Sequence, residues 1–466
     1  MARTHKINVE EAIKYVDRKA SEYVAQGFTP GAGVSIASKD KILFSKGYGL
    51  SNIEKRTKYT PNTTALLASV SKPISGTLLA WLQRKYRVDV LNTKANIKTS
   101  IPYVTKNMTV TDLVTHRSGI PEQYGTLAEL LGYSREYIIN TLKDAPNRNF
   151  RDEHQYTNLP FTQGVQVGVQ SVGLTLEQAY RDLFALIGMN ESSINYEPNK
   201  YLGYVGPQLS GLSKWYPAFK YDVSEQVAAG GIYSSTADMA KFIQFHLQQA
   251  ALPQEQRLLA NEFYAGIYTD KNIVDLTLIY GLGINIRYRI INGKLYQNFE
   301  HLGSLPNTVT NVSWIPQLDI GIFVHTNSCP NGLCLALTRS FYLKLTGSTD
   351  AEADAEFNQF NTILTDSLIE IFCELTFKVS GDRTIDPNIV GRYHNFEWGI
   401  VTIYPDGTIR LGKLPPVHLH KFKQNKYRFV LYDKGRLPYL GICQFKHNKL
   451  KLTYQCESRI FIKCTD

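Results

Sequence analysis

The sequence predicts an α/β (α+β) protein: an antiparallel sheet flanked by helices, with a helical insertion lobe and a small C-terminal antiparallel β-barrel. Strand patterns near the start of the chain return between residues 281 and 326. Helical patterns dominate in between, from Ser69 to about Leu247. After Asp382 the pattern changes to short alternating strands with turns. Strands on both sides of a helical region indicate one sheet completed by both ends of a domain.

The first predicted elements are a helix and a hairpin. Asn8 and Glu11 form a capping-box pattern, and apolar residues then repeat on one face until Gly27. Residues 33–38 and 42–47 read as two strands joined by a polar turn.

The insertion is predicted to contain four further helices. They cover residues 74–86, 110–115, 174–187 and a segment capped at Ser235 that runs to about Gln249. Gly164–Gln170 is rich in Val, Gln and Gly and lacks a helical pattern, so we expect a non-helical segment there. Strands return at residues 281–289, 294–300, 308–314 and 320–326, with a turn at Asn292–Gly293.

The chain is predicted to divide after residue 346. A polar, acidic stretch, Gly347–Glu356, interrupts the pattern, and a helix with an apolar side follows from Phe357 to Ile371. We therefore assign residues 1–346 to one domain and 347–381 to a helical linker. Residues 382–466 are assigned to the barrel, because short alternating strands of this number suit a small closed sheet.

Composition excludes several classes of protein. The 466 residues are 43% hydrophobic and 20% charged, which is typical of a globular chain. The net charge is +10, but Lys and Arg are spread along the chain, so no nucleic-acid partner is expected. No apolar run approaches the roughly 20 residues of a membrane span. The N-terminus lacks an apolar signal segment, so a cytoplasmic location is expected.

The six cysteines indicate neither a disulfide framework nor a metal site. Metal binding requires cysteine pairs or histidines at ligand spacing, and the sequence has neither. Buried structural thiols are the preferred interpretation. We therefore predict no metal and no cofactor.

Ser69 and Lys72 are the strongest candidates for catalysis. Residues three apart share a helix face, so Lys72 would lie beside the Ser69 hydroxyl and accept its proton. Pro73 is tolerated in a first helical turn, which puts Ser69 near a helix start, where developing negative charge is favoured. Ser38 also has a lysine three residues later, but this pair lies in the predicted hairpin turn.

The motifs that accompany Ser69 resemble the serine β-lactamase-like and penicillin-recognising hydrolases, on the side of class C β-lactamases, esterases and D-aminopeptidases. The resemblance runs from about Phe28 to Thr346. It includes the segments Pro30–Val34, Lys46–Gly49, Ala68–Lys72, Asp112–Pro121, Tyr156–Asn158, Ala229–Ser234, Tyr280–Gly283 and His301–Gly303.

Tyr156–Thr157–Asn158 looks like the Y-x-N element of that family. The resemblance implies that Tyr156, partly depleted of its proton beside Lys72, moves protons to and from Ser69. Asn158 would hold Lys72 and bind a substrate carbonyl.

Other matches are given different roles. Tyr296–Gln297–Asn298 and Tyr393–His394–Asn395 also fit Y-x-N, but they lie in predicted strands and are interpreted as surface tyrosines. His116 is interpreted through the resemblance as a residue that anchors a loop.

His301–Leu302–Gly303 would lie on the edge strand that faces the nucleophile. The resemblance implies substrate binding by His301, Gly303 and Ser304. Gly303 would let a substrate backbone approach, and the Ser304 N–H would join that of Ser69 as an oxyanion hole. Where relatives carry K-T-G this chain has histidine, a weaker anchor for a carboxylate than lysine. Esters or small amides are therefore favoured over β-lactams.

The resulting prediction is a serine hydrolase that cleaves an ester or amide through an acyl-enzyme on Ser69, in a cleft at the seam between sheet and insertion. Its substrate would be a small molecule or short peptide, including one that contains a D-amino acid. Three alternatives stay open. The protein could be an acyltransferase with the same acyl-enzyme, a catalytically inactive structural or assembly protein on this fold, or a small-molecule binding protein whose barrel binds the ligand. The barrel resembles the lipocalin-like appendage of related peptidases. Two roles stay open for it: forming one wall of the cleft, or mediating a homo-oligomer.

Overall fold

The computed structural model describes residues 8–146, 149–195, 202–206, 214–218, 222–265, 273–275, 278–291, 294–372, 382–431, 439–454 and 457–464. The predicted turn at Asn292–Gly293 lies outside these residues, as do Cys373 and Cys456.

The N-terminal segment forms a helix and the first strands of the main sheet. Helix α1 (Val9–Ala25) is capped by Asn8, whose side-chain oxygen accepts the Glu11 amide at 3.2 Å. The strands are β1 (Gly31–Ala37), β2 (Ile42–Asn52) and β3 (Thr57–Lys58). The predicted helix and hairpin are confirmed, although both hairpin strands are longer than predicted.

The insertion lobe is mostly helical. Its first elements are β4 (Thr64–Leu66), α2 (Ser71–Tyr86), α3 (Pro102–Asn107), α4 (Val110–Val114), α5 (Thr126–Leu130), α6 (Arg135–Thr141), α7 (Asn158–Gln170) and α8 (Leu176–Ile187). It continues with β5 (Tyr204–Val205), β6 (Tyr216–Pro217), α9 (Val227–Gly230), β7 (Tyr233–Ser235), α10 (Thr236–Ala251) and α11 (Glu262–Ala265). The four predicted helices are present as α2, α4, α8 and α10.

The later strands complete the sheet. They are β8 (Ile273–Asp275), β9 (Leu278–Tyr280), β10 (Asn285–Ile291), β11 (Lys294–Leu305), β12 (Thr308–Ile315), β13 (Ile320–Thr326) and the short β14 (Ser328–Cys329), before α12 (Leu333–Leu345) and α13 (Asp350–Phe372). The sheet order is β3-β2-β1-β13-β12-β11-β10-β9-β8. Since β1 pairs antiparallel with β13, the early and late strands meet at its centre.

Helices cover both faces of this sheet. Alternate strand residues point to opposite faces. On one side Val34, Ile322 and Val324 pack with α1, α12 and α13. On the other, Trp314 and Phe323 pack with α2, α7, α8 and α10. The predicted fold class, an antiparallel sheet flanked by helices with a helical insertion, is confirmed.

The expectation of a non-helical segment at Gly164–Gln170 is wrong, because α7 continues to Gln170. The missing side chains let α7 pack closely on its neighbours: a Cβ on Gly164 would lie 2.8 Å from Leu113 Cβ, and one on Gly168 2.6 Å from Leu79 Cδ2. The burial gained by this close packing outweighs the low helix propensity of glycine.

The acidic stretch at Gly347–Glu356 is also not an interruption, since most of it forms the start of α13. Thr349 caps the helix by exchanging hydrogen bonds with Glu352, and acidic residues are favoured in a first turn by the helix dipole. Phe357 and Leu368 of α13 join the core beneath the sheet. Residues 373–381 of the predicted linker lie outside the described residues, and the domain division stays a prediction.

The C-terminal strands form a second antiparallel sheet that curls into a nearly closed barrel. They are β15 (Gly391–Asn395), β16 (Gly399–Ile403), β17 (Thr408–Leu411), β18 (Val417–His418), β19 (His420–Lys423), β20 (Lys426–Leu431), β21 (Tyr439–Lys446), β22 (Lys449–Tyr454) and β23 (Glu457–Lys463). Their order is β18-β17-β16-β15-β23-β22-β21-β20-β19. Inward residues alternate with outward ones, as in Val401 and Ile403 of β16, which confirms the predicted barrel.

Three of the four described thiols are buried, as expected for structural cysteines. Cys329, Cys334 and Cys443 are buried, Cys464 is partly exposed, and all four are free thiols. Among the helices of the described residues, none has the length and apolar character to cross a membrane.

Candidate active site

Ser69 lies between the short strand β4 and the start of helix α2. A short 3₁₀ turn, Ala68–Val70, precedes the helix, so Ser69 is near a helix start as predicted. Ala68 has a φ of 49°, in the left-handed region that costs energy for a residue with a Cβ. The strain is held by strand β12, because the hydroxyls of Thr308 and Thr310 donate to the carbonyls of Leu66 and Leu67 at 3.1 and 2.7 Å.

Lys72 is completely buried beside the nucleophile. Its Nζ lies 3.2 Å from Ser69 Oγ, 2.7 Å from Asn158 Oδ1 and 2.9 Å from the Ala229 carbonyl oxygen. Burial holds the pKa of Lys72 well below its usual value, so the uncharged amine is favoured. A neutral amine has two hydrogens and one lone pair. With the hydrogens donated to Asn158 and Ala229, the lone pair faces Ser69 Oγ.

Tyr156 is the second side chain that contacts the Ser69 hydroxyl. Its hydroxyl donates to Ser69 Oγ at 2.9 Å. Burial raises the pKa of Tyr156, while the Ser69 contact lowers it to a smaller extent. This differs from the expected partial loss of its proton, since a neutral Lys72 supplies no positive charge to favour tyrosinate. Ser69 Oγ therefore accepts a hydrogen bond from Tyr156 and can donate its own proton to Lys72.

The Y-x-N segment is held from several directions. Asn158 begins α7, and its amide nitrogen lies 3.5 Å from Gln123 Oε1. The Thr157 N–H donates to His116 Nδ1 at 3.2 Å, and the Tyr156 carbonyl accepts the Gln123 N–H at 2.8 Å. The structure thus gives His116 the anchoring contact expected of it. Gln123 and Ala229 also contact these residues; Ala229 belongs to the quoted Ala229–Ser234 motif, although no role at the site was assigned to it from the sequence.

Strand β11 presents an open edge to the nucleophile. Strand β10 pairs with β11 only from Lys294 to Glu300, so His301–Leu305 extends beyond it. A Cβ on Gly303 would lie 2.9 Å from the Ser69 nitrogen, which shows how closely the edge approaches. Gly303 is therefore brought to Ser69, as the resemblance implied.

His301 is also at this edge, but its ring nitrogens have protein partners. Nδ1 donates to the Leu302 carbonyl at 2.8 Å, so Nε2 is the acceptor and receives the Tyr280 hydroxyl at 3.1 Å. His116 Nδ1 accepts an N–H, so His116 Nε2 donates to Tyr280 Oη at 3.3 Å. Burial lowers the pKa of His301 to about 3. Tyr280 belongs to the quoted Tyr280–Gly283 motif, but the sequence alone did not assign it to the site.

The competing sequence matches lie elsewhere. Ser38 and Lys41 lie in an exposed turn, where the Ser38 hydroxyl is 3.3 Å from both the backbone nitrogen and the carbonyl oxygen of Lys41. Tyr296 lies on β11, packed against the core beneath the sheet, and Tyr393 is a buried barrel residue whose hydroxyl donates to the Ile389 carbonyl at 2.8 Å. The interpretation of both as surface tyrosines is wrong for Tyr393. Within the described ranges, no group of three His, Cys, Asp or Glu side chains is arranged to hold a metal ion.

Comparisons of the sequence with a family profile and with curated proteins indicate the same family. The sequence profile of the family described as Beta-lactamase matches residues 16–336. A teichoic acid D-alanine hydrolase of Staphylococcus aureus (strain MRSA252) is 24% identical over 284 residues, which cover 60% of this chain and 68% of the relative. A putative penicillin-binding protein, PbpX, of Bacillus subtilis (strain 168) is 28% identical over 254 residues, 50% of this chain and 60% of the relative.

A solved structure extends the likeness in fold to both sheets. The octameric penicillin-binding protein homologue from Pyrococcus abyssi superposes with a TM-score of 0.61 at 18% identity, over 96% of this chain and 99% of that one. The family match and the hydrolase-named relatives support hydrolase activity. Because the profile covers well over half of its length, this chain belongs to the Beta-lactamase family.

Proposed function

We propose that this protein is a serine hydrolase that cleaves an ester or amide through an acyl-enzyme on Ser69. One observation carries the proposal: Ser69 Oγ lies between the buried amine of Lys72 at 3.2 Å and the hydroxyl of Tyr156 at 2.9 Å. A serine is a weak nucleophile unless a neighbouring base takes its proton. This arrangement supplies an uncharged base and a second proton carrier, both within hydrogen-bond distance of one oxygen.

In the acylation step Ser69 Oγ bonds to the substrate carbonyl carbon while its proton passes to Lys72 Nζ. The carbonyl oxygen becomes an oxyanion, for which the N–H groups of Ser69 and Ser304 would be the donors. The bond to the leaving alcohol or amine then breaks. That group takes a proton from the Lys72–Tyr156 pair, which leaves the pair neutral and the acyl group on Ser69.

Deacylation repeats the step with water. As the water oxygen attacks the acyl carbonyl, one of its protons passes to the Tyr156 hydroxyl, which gives up its own proton to Lys72 Nζ in the same step. The same pair returns the proton to Ser69 Oγ when the ester bond breaks, and a carboxylic acid is released. No net proton is gained or lost by the protein in the cycle.

The substrate class follows from His301 and from the named relatives. Because both His301 nitrogens have protein partners and its pKa is low, it is a poor anchor for a substrate carboxylate. Esters or small amides, including short peptides with a D-amino acid, suit this edge better than substrates that require a cation. The name of the S. aureus relative, a D-alanine hydrolase, favours D-alanyl esters as the first compounds to test. In this proposal His301 supports the edge strand through Tyr280.

The test is intact-mass analysis after exposure to a fluorophosphonate and, separately, to p-nitrophenyl acetate. Wild type is expected to gain one adduct and to release p-nitrophenol. The Ser69→Ala variant should gain no adduct and release no p-nitrophenol, because alanine lacks the proposed nucleophilic hydroxyl. Its unfolding temperature should be unchanged. Ser38→Ala, which changes the exposed S-x-x-K match, should behave as wild type. Labelling of Ser69→Ala, or an unlabelled wild type, would contradict the proposal.

A further inference from the structure

The barrel and the insertion lobe share one hydrophobic core. Trp398 of the barrel belongs to the same buried cluster as Tyr124, Leu131 and Tyr133 of the lobe. Hydrogen bonds cross the boundary: the Ile400 N–H donates to Tyr133 Oη at 3.0 Å, and the Lys413 N–H donates to the Leu131 carbonyl at 2.9 Å. A core with direct backbone contacts fixes the barrel against the lobe.

One buried carboxylate extends this contact toward the active site. Glu397 lies in the turn between β15 and β16 and is 3% exposed. Its Oε1 accepts the N–H of the buried Gly125 at 3.3 Å, while Arg459 donates from Nε to Oε2 at 2.8 Å and from Nη2 to Oε1 at 3.3 Å. Asn395 Oδ1 accepts the N–H groups of both Glu397 and Trp398 at 2.9 Å and so fixes the turn.

The loop that receives Glu397 is the loop that holds the Y-x-N segment. Gln123 and Gly125 have φ values of 56° and 80°, so two residues of this tight loop adopt the left-handed conformation. The Gln123 N–H donates to the Tyr156 carbonyl at 2.8 Å, and its side chain lies 3.5 Å from the Asn158 amide nitrogen. Glu397 is thus linked to Tyr156 through a loop of three residues.

We propose that Glu397 is a positioning residue for the active site, and that the barrel thereby fixes Tyr156 and Asn158 against Ser69 and Lys72. This rests on the proposed function for its effect on turnover. The buried Gly125 N–H of the 123–125 loop requires a hydrogen-bond acceptor, and this acceptor is Glu397 of the barrel. Without the carboxylate, the Gly125 N–H and the Arg459 guanidinium would lose a buried charged acceptor, and the loop would relax.

The expected consequence is a loss of rate without a matching loss of substrate binding. A displacement of about 1 Å in a catalytic group can reduce turnover by about 100-fold. We expect Glu397→Ala to reduce kcat by about 10- to 100-fold with KM changed far less. Glu397→Gln keeps an oxygen that can accept the Gly125 N–H, so it should recover part of the loss.

The test compares these full-length variants with Tyr427→Phe. That control removes a barrel hydrogen bond, from the Asp386 N–H to Tyr427 Oη at 3.1 Å, in which no residue of the 123–125 loop is donor or acceptor. Circular dichroism and unfolding temperature check that each barrel is folded. Turnover of p-nitrophenyl acetate and hydrogen exchange at the Gln123 and Gly125 amides are then measured. Faster exchange at these amides and a lower kcat in Glu397→Ala, but not in Tyr427→Phe, is the expected result.

The outcomes separate this proposal from the proposed function. Wild-type kcat and unchanged exchange in Glu397→Ala would overturn the positioning role. Equal losses in Glu397→Ala and Tyr427→Phe would also overturn it, since any damage to the barrel would then suffice. If the wild type neither reacts nor turns over, the hydrolase proposal fails, and the exchange at Gln123 and Gly125 still decides whether Glu397 holds the loop. If Glu397→Ala does not fold, Glu397→Gln is compared with Tyr427→Phe by the same two measurements.

Discussion

Replacing Gly303 with alanine tests the close approach between the edge strand and the nucleophile. A Cβ at this position would lie 2.7 Å from the Leu67 carbonyl oxygen and 2.9 Å from the Ser69 nitrogen. Both are backbone atoms, and the Leu67 carbonyl is held by Thr310 at 2.7 Å. The added Cβ also contacts Thr310 Oγ1, which could rotate away, but the two backbone contacts are relieved only by movement of the strand or of the segment that carries Ser69.

The size of that movement sets the expected effect. Heavy atoms in contact prefer separations of about 3.5 Å, so the two contacts require a shift of about 0.6 to 0.8 Å. Functional groups tolerate errors of about 0.5 Å before their geometry becomes unproductive. The shift should remove the N–H of Ser69 or Ser304 from the proposed oxyanion hole. Loss of one such donor costs about 10²- to 10³-fold in kcat, or about 2.7 to 4 kcal/mol.

The assay is pre-steady-state turnover of p-nitrophenyl acetate by wild type and Gly303→Ala. We expect an acylation rate reduced by about 100-fold or more with the fold retained. Gly230→Ala is the matched control, because its Cβ would lie 4.0 Å from the Ala68 carbonyl carbon, an ordinary contact. A Gly303→Ala protein that acylates at the wild-type rate would refute the argument that this edge forms part of the oxyanion site.

Two further predictions concern Tyr156 and Glu129. Tyr156→Phe removes the hydroxyl 2.9 Å from Ser69 Oγ and should lower kcat by about 10²- to 10³-fold in steady-state assays. A fall below threefold would contradict its role as a proton carrier. Burial, with the charge of Glu225, holds the pKa of Glu129 well above its usual value. Above the unfolded pKa of about 4.3 the folded state binds the extra proton, so stability falls with rising pH by up to about 1.4 kcal/mol per unit. Glu129→Gln should flatten this dependence in urea unfolding between pH 5 and 8; an unchanged slope would contradict it.

The sequence was sufficient to predict the helices and strands whose hydrophobic periodicity and caps are clear over a few residues. Helix α10 begins at its Ser235 cap, and strand β13 has the predicted bounds, Ile320–Thr326, because caps and alternating patterns act over a few residues. Helix α7 was missed since its glycines are poor helix formers, and only the packing of Leu79 and Leu113 against them makes the helix favourable.

The sequence by itself determined which residues meet at the site. Helical spacing selected Ser69 and Lys72, and the resemblance to the serine β-lactamase-like hydrolases selected Tyr156 and Asn158. The tertiary structure alone decided how their pKa values shift. Burial, which depends on chain segments far apart in sequence, lowers the pKa of Lys72 and raises that of Tyr156. The tertiary structure also brought together hydrogen-bonding partners that are far apart in sequence, such as Tyr280 with His301 and Glu397 with Gly125. Such hydrogen bonds form only when the hydrophobic cores around them pack.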